Sequence, residues 1–441
     1  MDVFIKASQF ILSLSLLIVL HELGHFLPAK YFKIKVEKFY LFFDYKFSLF
    51  KKKIGDTVYG IGWIPLGGYV KIAGMIDESM DTEAMKLPPK DWEFRSKPAW
   101  QRLIVMLGGV TVNFVLGILI YQMILFVWGE DYVTPEGVKN GFSTTQTFKD
   151  LGFQDGDKIL QIDGEAPLDV LDINKYLFLR GIQTVQVKHT DGSLEQISIP
   201  QDIGLSMWQN NEMEPFNPRI EGRIDSVVPA SIADKAGILK GDQVVSVNNT
   251  PTIYWNDFQN SVKNREGSEL NLEIKRNGEI VKKQLQMQDQ TSIGVYTDFD
   301  IQGALNIQHE DYSYADAFVG GNKLAYWTLH DYIAQFKYVF TKKGAQSVGG
   351  FIAIGSIFPS TWSWQSFWSI TAFLSIMLGF MNLLPIPALD GGHVMFTLYE
   401  MISGRKPSDK FLEYAQMAGF FLLIALLLLA NGNDIVKLFN S

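Results

Sequence analysis

The sequence has no cysteine and little histidine, with 0 and 6 residues of these types among 441. Without cysteine the chain has no thiolate zinc site, iron–sulfur cluster, disulfide scaffold or cysteine nucleophile. Any metal ion must therefore be held by histidine and carboxylate. Positive charge is also in deficit, with 39 Lys and Arg against 47 Asp and Glu. The net charge of −8 argues against nucleic acid as a partner.

Long apolar runs are present, although the average composition hides them. Hydrophobic residues make up 47% of the chain and the mean hydropathy is +0.07, which are ordinary values for a globular protein. Four segments are nevertheless apolar enough to cross a hydrocarbon core of about 30 Å. We predict membrane spans at about 4–29, 103–128, 367–402 and 411–430. The first has one lysine and a polar cluster where signal-peptide cleavage needs small residues, so we expect it to be retained.

The distribution of charge predicts an orientation. Residues 30–97 hold 13 Lys and Arg against 9 Asp and Glu, and the loop after the third span carries Arg405, Lys406 and Lys410. Residues 129–365 hold 20 Lys and Arg against 31 Asp and Glu. Because basic loops stay in the cytoplasm, we place the first two stretches inside and the large acidic region outside.

The region between the second and third spans repeats itself. Residues 151–164 align with residues 236–249, and each copy has a Gly-Asp turn, an alternating apolar strand and a second tight turn. Two β-rich modules, 129–212 and 213–292, account for this pattern. They resemble PDZ domains, which accept an extended peptide at a sheet edge. The alternative is a pair of structural modules that bind nothing.

Residues 293–365 are expected to connect the modules to the third span. Within them, residues 314–340 mix aromatic and polar side chains and are too polar to cross a membrane. This segment is predicted either to lie in the membrane interface or to form an amphipathic helix packed on protein.

The first span contains the pattern HExxH, from His21 to His25. On a helix, imidazoles at i and i+4 share one face and can reach a single tetrahedral metal ion. Glu22 projects from a neighbouring position, where it can take a proton instead of binding the metal. Three ionisable side chains in a membrane span are costly and indicate function.

Two histidines leave a catalytic zinc site one protein ligand short. In the third span, residues 382–392 contain two prolines and two glycines within a hydrophobic run, so this segment cannot be a continuous helix. Broken backbone at membrane depth is tolerated where it faces protein or a wet cavity. Asp390 is therefore the best candidate for the third ligand, and His393 stays open as an alternative.

These elements together resemble the site-2 protease family, peptidase family M50, in particular its bacterial RseP-type members. The resemblance rests on HExxH in the first span, the run from Asn382 to His393 in the third, and PDZ-like modules between them. It implies that His21, His25 and Asp390 bind Zn²⁺, and that Glu22 is the general base. It further implies that Asn382 helps to hold the substrate strand.

Two more stretches resemble elements of this family. Gly67, Gly68 and Tyr69 begin a segment that is similar to a membrane-associated β-hairpin, whose edge is thought to pair with unwound substrate. Gly109 to Asn113 is similar to the family's Gly-x-x-x-Asn element, which suggests a substrate contact for Asn113. The alternatives are an ordinary cytoplasmic hairpin and a small-residue helix contact. Pro28 should end the first helix early.

The expected fold is thus a multi-span α-helical membrane protein, with a membrane core at 1–128 and 366–441, a β-hairpin and two extracytoplasmic PDZ-like domains. The resemblance implies a zinc-dependent endopeptidase of the bacterial inner membrane that cuts single-span proteins. Its expected substrates are a trimmed anti-sigma factor and remnant signal peptides. Its expected partners are the lipid bilayer and peptide tails at the PDZ-like domains. The rival functions are a membrane-anchored PDZ scaffold with a vestigial metal site, and a peptidase that acts on soluble peptides.

Overall fold

The structure is a computed structural model that describes residues 2–65, 67–75, 88–263, 265, 267–287, 290–297 and 304–440. They form two compact units. One is Glu130–Glu310, and the other comprises the residues on both sides of it, up to 129 and from 311. The second of these units is called the membrane unit, and its N-terminal part comes first along the chain.

Two long apolar helices and a small sheet form this N-terminal part. Its elements are α1 (Asp2–Tyr31), β1 (Val36–Leu41), β2 (Phe50–Ile54), β3 (Thr57–Ile61), β4 (Tyr69–Ile72) and α2 (Ala99–Trp128). The strands lie in the order β2-β3-β1-β4, with β1 and β3 parallel and the other neighbours antiparallel. Among the described residues, the segment from Gly67 does not form a hairpin of its own but leads into β4, at one end of the strand order of this sheet.

The first helix continues through Pro28 to Tyr31, so the expectation that proline ends it early is wrong. Proline removes the hydrogen bond to the Gly24 carbonyl four residues back, and its ring crowds that carbonyl. That carbonyl lies against Gly108 of α2, and the Phe32 N–H closes the last turn on the Pro28 carbonyl at 2.9 Å. Membrane helices tolerate an internal proline because neighbouring helices compensate for the lost bond.

The unit Glu130–Glu310 contains two separate hydrophobic cores, one from Val133 to Phe216 and one from Ile220 to Ala304. The elements around the first core are β5 (Glu130–Val138), β6 (Phe142–Thr144), α3 (Gln146–Lys149), β7 (Lys158–Ile162), α4 (Ile173–Leu179), β8 (Thr184–Lys188), β9 (Leu194–Ser198), α5 (Ile203–Asn210) and β10 (Phe216–Pro218). Strands β7, β8 and β9 form an antiparallel sheet, and β10 pairs with β6.

Strands and short helices also surround the second core. Its elements are β11 (Ser226–Val227), α6 (Ile232–Lys235), β12 (Gln243–Val247), β13 (Thr250–Pro251), α7 (Trp255–Lys263), β14 (Glu269–Arg276), β15 (Glu279–Gln286) and β16 (Val295–Tyr296). The main sheet has the order β13-β12-β14-β15, and β11 pairs with β16. Strand β17 (Leu305–Glu310) then pairs with β5. Residues 304–310 thus belong to this unit, although we expected them to connect it to the third span.

The predicted turn chemistry of the repeat is confirmed. Gly156 and Gly241 have φ values of +100° and +90°, which favour glycine. Asp157 accepts a hydrogen bond from the Gln154 N–H at 2.7 Å. Asp242 likewise accepts one from the Leu239 N–H at 2.8 Å. Each aspartate therefore closes the turn that precedes its strand.

The two modules differ in the cation that pairs with this aspartate. In the second, Arg276 donates two hydrogen bonds of 2.7 Å to Asp242. In the first, His189 lies between two carboxylates, with Nδ1 2.7 Å from Asp157 and Nε2 2.9 Å from Glu195. Burial alone would lower the pKa of His189, but the two carboxylates more than reverse this and hold the pKa above its usual value.

The first module should therefore lose stability as pH rises. The raised pKa means that protonated His189 adds stability below about pH 6.5, and that this stability is lost as pH rises through the folded-state pKa. We expect hydrogen exchange of the full-length protein to show weakening protection of β7 and β8 from about pH 6 to pH 8, after correction for intrinsic rates. Strands β12 and β14, next to Arg276, are the internal control. Equal changes in both modules, or the same change in a His189→Gln variant, would contradict the prediction.

The C-terminal part of the membrane unit consists of α8 (Tyr314–Val339), α9 (Lys342–Ser347), α10 (Phe351–Ser356), α11 (Trp364–Leu383), α12 (Asp390–Ser403) and α13 (Asp409–Asn440). Of the two alternatives for residues 314–340, the structure supports a helix packed on protein. Gly321 of α8 lies against Gln122 of α2, and Tyr332 and Phe336 pack on Phe380 of α11.

Four helices of the described chain are long and apolar enough to cross a membrane, which confirms the predicted number. They are Asp2–Tyr31, Ala99–Trp128, Trp364–Leu383 and Lys410–Phe439. The third predicted span, 367–402, is divided: α11 ends at Leu383 and α12 begins at Asp390. The two prolines between them, Pro385 and Pro387, break the helix, as their backbone chemistry predicts, whereas Gly391 and Gly392 lie in the first turn of α12.

Candidate metal centre

The first and second helices cross at glycine, which brings the HExxH face of α1 against α2. A Cβ atom on Gly24 would lie 2.5 Å from the Gly108 carbonyl oxygen, so only glycine allows this approach. A Cβ on Gly109 would lie 2.7 Å from Cε1 of His21. The three glycines therefore make room for both imidazoles in the helix interface. His21 and His25 are 9% and 6% exposed there.

The broken segment of the third predicted span brings Asp390 to the two histidines. Asp390 Oδ2 lies 3.3 Å from His21 Nε2 and 3.2 Å from His25 Nε2. The two Nε2 atoms are 3.2 Å apart. Zinc bonds of about 2.0–2.1 Å at the tetrahedral angle place ligand atoms about 3.3 Å apart. The triangle formed by these three atoms therefore fits one face of a tetrahedral zinc site.

The hydrogen bonds behind the histidines leave the inward-facing atoms as acceptors. His25 Nδ1 lies 2.8 Å from the Val105 carbonyl oxygen, so Nδ1 carries the proton and Nε2 of the neutral ring has the lone pair. His21 Nδ1 lies 3.0 Å from the Asn113 amide nitrogen, and Asn113 Oδ1 is buried without a partner. Turning this amide over lets Oδ1 accept the Nδ1–H of His21.

The three atoms of the triangle are then all hydrogen-bond acceptors, and none of them can donate to another. Asp390 Oδ2 is itself a buried oxygen without a hydrogen-bond partner. Buried acceptors that face each other are costly unless a cation lies between them. Two imidazoles and one carboxylate are a donor set that zinc prefers. The described residues thus fit a zinc ion, and His21, His25 and Asp390 are the group that would hold it.

His393, the alternative third ligand, lies about one helical turn after Asp390 and lines the same cavity as the three residues. Its Nε2 is 3.3 Å from the side-chain nitrogen of Gln416 on α13, and it does not belong to the metal-binding group found among the described residues. Gln416 was not recognised from the sequence as part of this region. A single amide side chain inside the apolar run 411–430 was the signal that could have revealed it.

The predicted base and the predicted substrate-binding residues surround one cavity of about 820 Å³, with a single exception. Its wall includes the three metal-binding side chains, and also Glu22, Gly67, Gly68, Tyr69 and Asn382. The Asn382 amide nitrogen is 3.4 Å from His21 Nε2, and Val70 lines the cavity together with Glu22. Asn113 is the exception, since it lies fully buried behind His21, where it can orient the imidazole.

Strand β4 lines this cavity. One of its edges pairs with β1, in the register Phe39 opposite Val70 and Tyr40 opposite Tyr69. The order of the sheet places no strand beyond β4 among the described residues. An open strand edge offers the backbone groups that an extended peptide needs for pairing.

Comparison with known proteins agrees with this geometry. The sequence profile of peptidase family M50 matches residues 9–426. The chain belongs to peptidase family M50. Similar M50 relatives include the regulator of sigma E protease of Haemophilus influenzae, which is 28% identical over 98% of both chains. The RseP proteases of Escherichia coli K12 and Yersinia pestis are both 27% identical, over 98% or more of both chains.

Family membership establishes the class of chemistry. M50 peptidases are zinc enzymes, and this M50 chain is a metalloendopeptidase of the site-2 protease type that acts in the membrane. The four apolar helices and the bacterial relatives indicate an inner-membrane protein.

Proposed function

We propose that this peptidase hydrolyses a peptide bond inside the membrane-spanning segment of single-span proteins, as a step in regulated intramembrane proteolysis. The observation that carries the proposal is the position of the metal-binding triangle. It lies between the first span and the broken end of the third, in a cavity that strand β4 also lines. The names of the relatives refer to the regulation of sigma E, and we propose a trimmed anti-sigma factor as substrate, with remnant signal peptides as a second class.

We assign His21, His25 and Asp390 as the zinc ligands and Glu22 as the general base. Zinc bound there would supply Lewis acidity, which makes water a nucleophile at neutral pH and polarises a carbonyl group. The Glu22 carboxylate takes the proton of the attacking water and later delivers it to the leaving amine. The Asn382 amide can donate a hydrogen bond to the scissile carbonyl oxygen.

The substrate must unwind before it can be cut, because a helix engages each carbonyl in a hydrogen bond to the residue four positions on. We assign the edge of β4, entered through Gly67 and Gly68, as the site where the unwound segment adds as a strand. Tyr69 begins that edge. This pairing replaces the lost helical hydrogen bonds with backbone bonds to the sheet.

We further propose that the active site faces the cytoplasmic side and that the unit Glu130–Glu310 lies in the periplasm. The basic balance of residues 30–97 and the acidic balance of residues 129–365 support this orientation. The two β-rich modules then act as PDZ-like domains that meet the outer tail of a substrate. A tail trimmed by an earlier protease passes, whereas a folded outer domain is excluded.

The test uses the purified full-length protein in proteoliposomes with two single-span substrates. They share one span, but one has a short outer tail and the other a folded outer domain. We expect the short-tailed protein to be cut inside its span, as located by mass spectrometry. We expect a zinc chelator to stop this cleavage and the folded domain to slow it at least about tenfold, one decade being about 1.4 kcal/mol.

A water-soluble peptide covering the same bond is the third substrate. Cleavage of this peptide in preference to the embedded span would identify a surface peptidase and overturn the proposal. Binding of the outer tail without any cleavage would instead support the scaffold function. Equal cleavage of the short-tailed and folded-domain substrates would overturn only the size filter.

A further inference from the structure

The turn between α11 and α12, residues 384–389, carries Asp390 to the metal centre in a strained conformation. Ala388 has a φ of +67°, a region that residues with a Cβ atom rarely adopt. Its position directly before Leu389 and Asp390 means that relaxation of this residue would move the carboxylate. The surrounding structure must therefore hold the turn in place.

The fourth span provides a polar contact to this turn. Gln416 of α13 is 6% exposed, and its Oε1 accepts a hydrogen bond from the Ala388 N–H at 3.3 Å. Its Nε2 lies 3.3 Å from Nε2 of His393, one turn along the helix that starts at Asp390. One amide thus connects the strained residue before Asp390 with the helix after it.

A second contact lies one helical turn away. Gly419 of α13 packs against Pro387, and a Cβ atom at this position would overlap the Pro387 carbonyl oxygen and lie 2.9 Å from its Cβ. The backbone of α13 therefore touches the backbone of the turn directly. Any larger residue at 419 must push the helix and the turn apart.

Few described positions of α13 are buried, and the two contacts with the turn lie at two of them. Among its described side chains, the buried positions are Gln416, Gly419, Ala430 and Asp434. The last two lie near the other end, where Asp434 accepts hydrogen bonds from the N–H groups of Ile352 and Ala353 at the start of α10. At the end near the metal centre, the buried surface of the helix is thus the pair that contacts the turn.

We propose that Gln416 and Gly419 are positioning residues, which hold the turn 384–389 so that Asp390 stays in the metal-binding triangle. The inference rests on the proposed zinc ligation by Asp390. It assigns to the fourth span a role in metal affinity, exerted through contacts on the backbone of the turn.

The test compares two identical changes in the same helix. Gly419→Ala introduces the overlap with Pro387, whereas Gly432→Ala adds a methyl group where no atom lies within 4 Å. Zinc affinity of the full-length protein in detergent is measured by competition with a chelator, without substrate. We expect Gly419→Ala to bind zinc about 10–100-fold more weakly, the usual effect of losing an outer partner of a metal ligand. Gly432→Ala should match the unchanged protein.

A second pair removes the hydrogen bonds without a clash. Gln416→Met keeps the length of the side chain and loses both polar contacts, whereas Gln416→Glu keeps the acceptor for the Ala388 N–H. We expect zinc affinity to fall in the order Gln, Glu, Met. The visible spectrum of the Co²⁺-loaded Met variant should also change, because it reports the ligand set directly. If Gly419→Ala fails to fold, the zinc affinities of Gln416→Met and Gln416→Glu test the proposal.

Unchanged zinc affinity and an unchanged cobalt spectrum in Gln416→Met would overturn this inference while leaving zinc ligation by Asp390 intact. An unchanged protein that binds no zinc would instead overturn the proposed function itself. The two failures are therefore distinguishable in the same measurement.

Discussion

Replacing Glu22 with glutamine should abolish cleavage of an embedded substrate while leaving zinc binding intact. The change preserves the size of the side chain and replaces a carboxylate with a neutral carboxamide. It removes the ability to take a proton from water. General-base catalysis contributes roughly 10²–10⁴-fold, so the rate should fall by at least that lower value.

The measurement is the cleavage rate in proteoliposomes, together with the zinc content of the same preparation. Glu413→Gln is the matched control, because Glu413 is exposed on α13. It makes the same chemical change away from the cavity and should leave the rate unaltered. A Glu22→Gln protein that cuts within tenfold of the unchanged rate would exclude Glu22 as the base. Loss of both zinc and activity would point to a structural role.

Replacing Asp390 with alanine should remove zinc and activity together. The substitution deletes one corner of a triangle whose sides are 3.2–3.3 Å and leaves two histidines, fewer ligands than a catalytic zinc site uses. We expect a loss of zinc affinity well beyond the roughly 10–100-fold effect of losing an outer hydrogen-bond partner. Zinc content after dialysis against a weak chelator measures this directly.

The control for this change is Asp56→Ala, which removes an exposed carboxylate from the turn between β2 and β3 and should leave zinc content unaltered. His393→Ala separates the two candidates for the third ligand. Zinc retained in Asp390→Ala but lost in His393→Ala would assign the third ligand to His393. Zinc lost only in Asp390→Ala supports the triangle.

Several features of the fold could be predicted because they depend on local chemistry. Runs of apolar residues predicted four spans, and the structure has four helices of that kind. The prolines and glycines after Asn382 predicted a broken helix, and the break lies between Leu383 and Asp390. The two Gly-Asp turns adopt the positive φ values that glycine allows. In each case the cause lies within a few residues of the effect.

Predictions that depended on distant contacts were incomplete. Pro28 was expected to end the first helix, yet α1 continues to Tyr31, and the Gly24 carbonyl that loses its hydrogen bond packs against Gly108 of α2. The segment at Gly67 was expected to be a hairpin, yet it leads into the edge of a four-stranded sheet. Neither α2 nor β1 is near these residues in sequence.

The sequence by itself determined which residue types are available to bind a metal ion. With no cysteine, it left histidine and carboxylate for the metal, and the i, i+4 spacing put His21 and His25 on one helix face. Only the tertiary structure showed that Asp390, among the described residues, lies within 3.3 Å of both His21 and His25. The reason is that ligand geometry is a relation between helices more than 350 residues apart, set by the packing of Gly24 on Gly108 and of Gln416 on Ala388. No local pattern encodes such a distance.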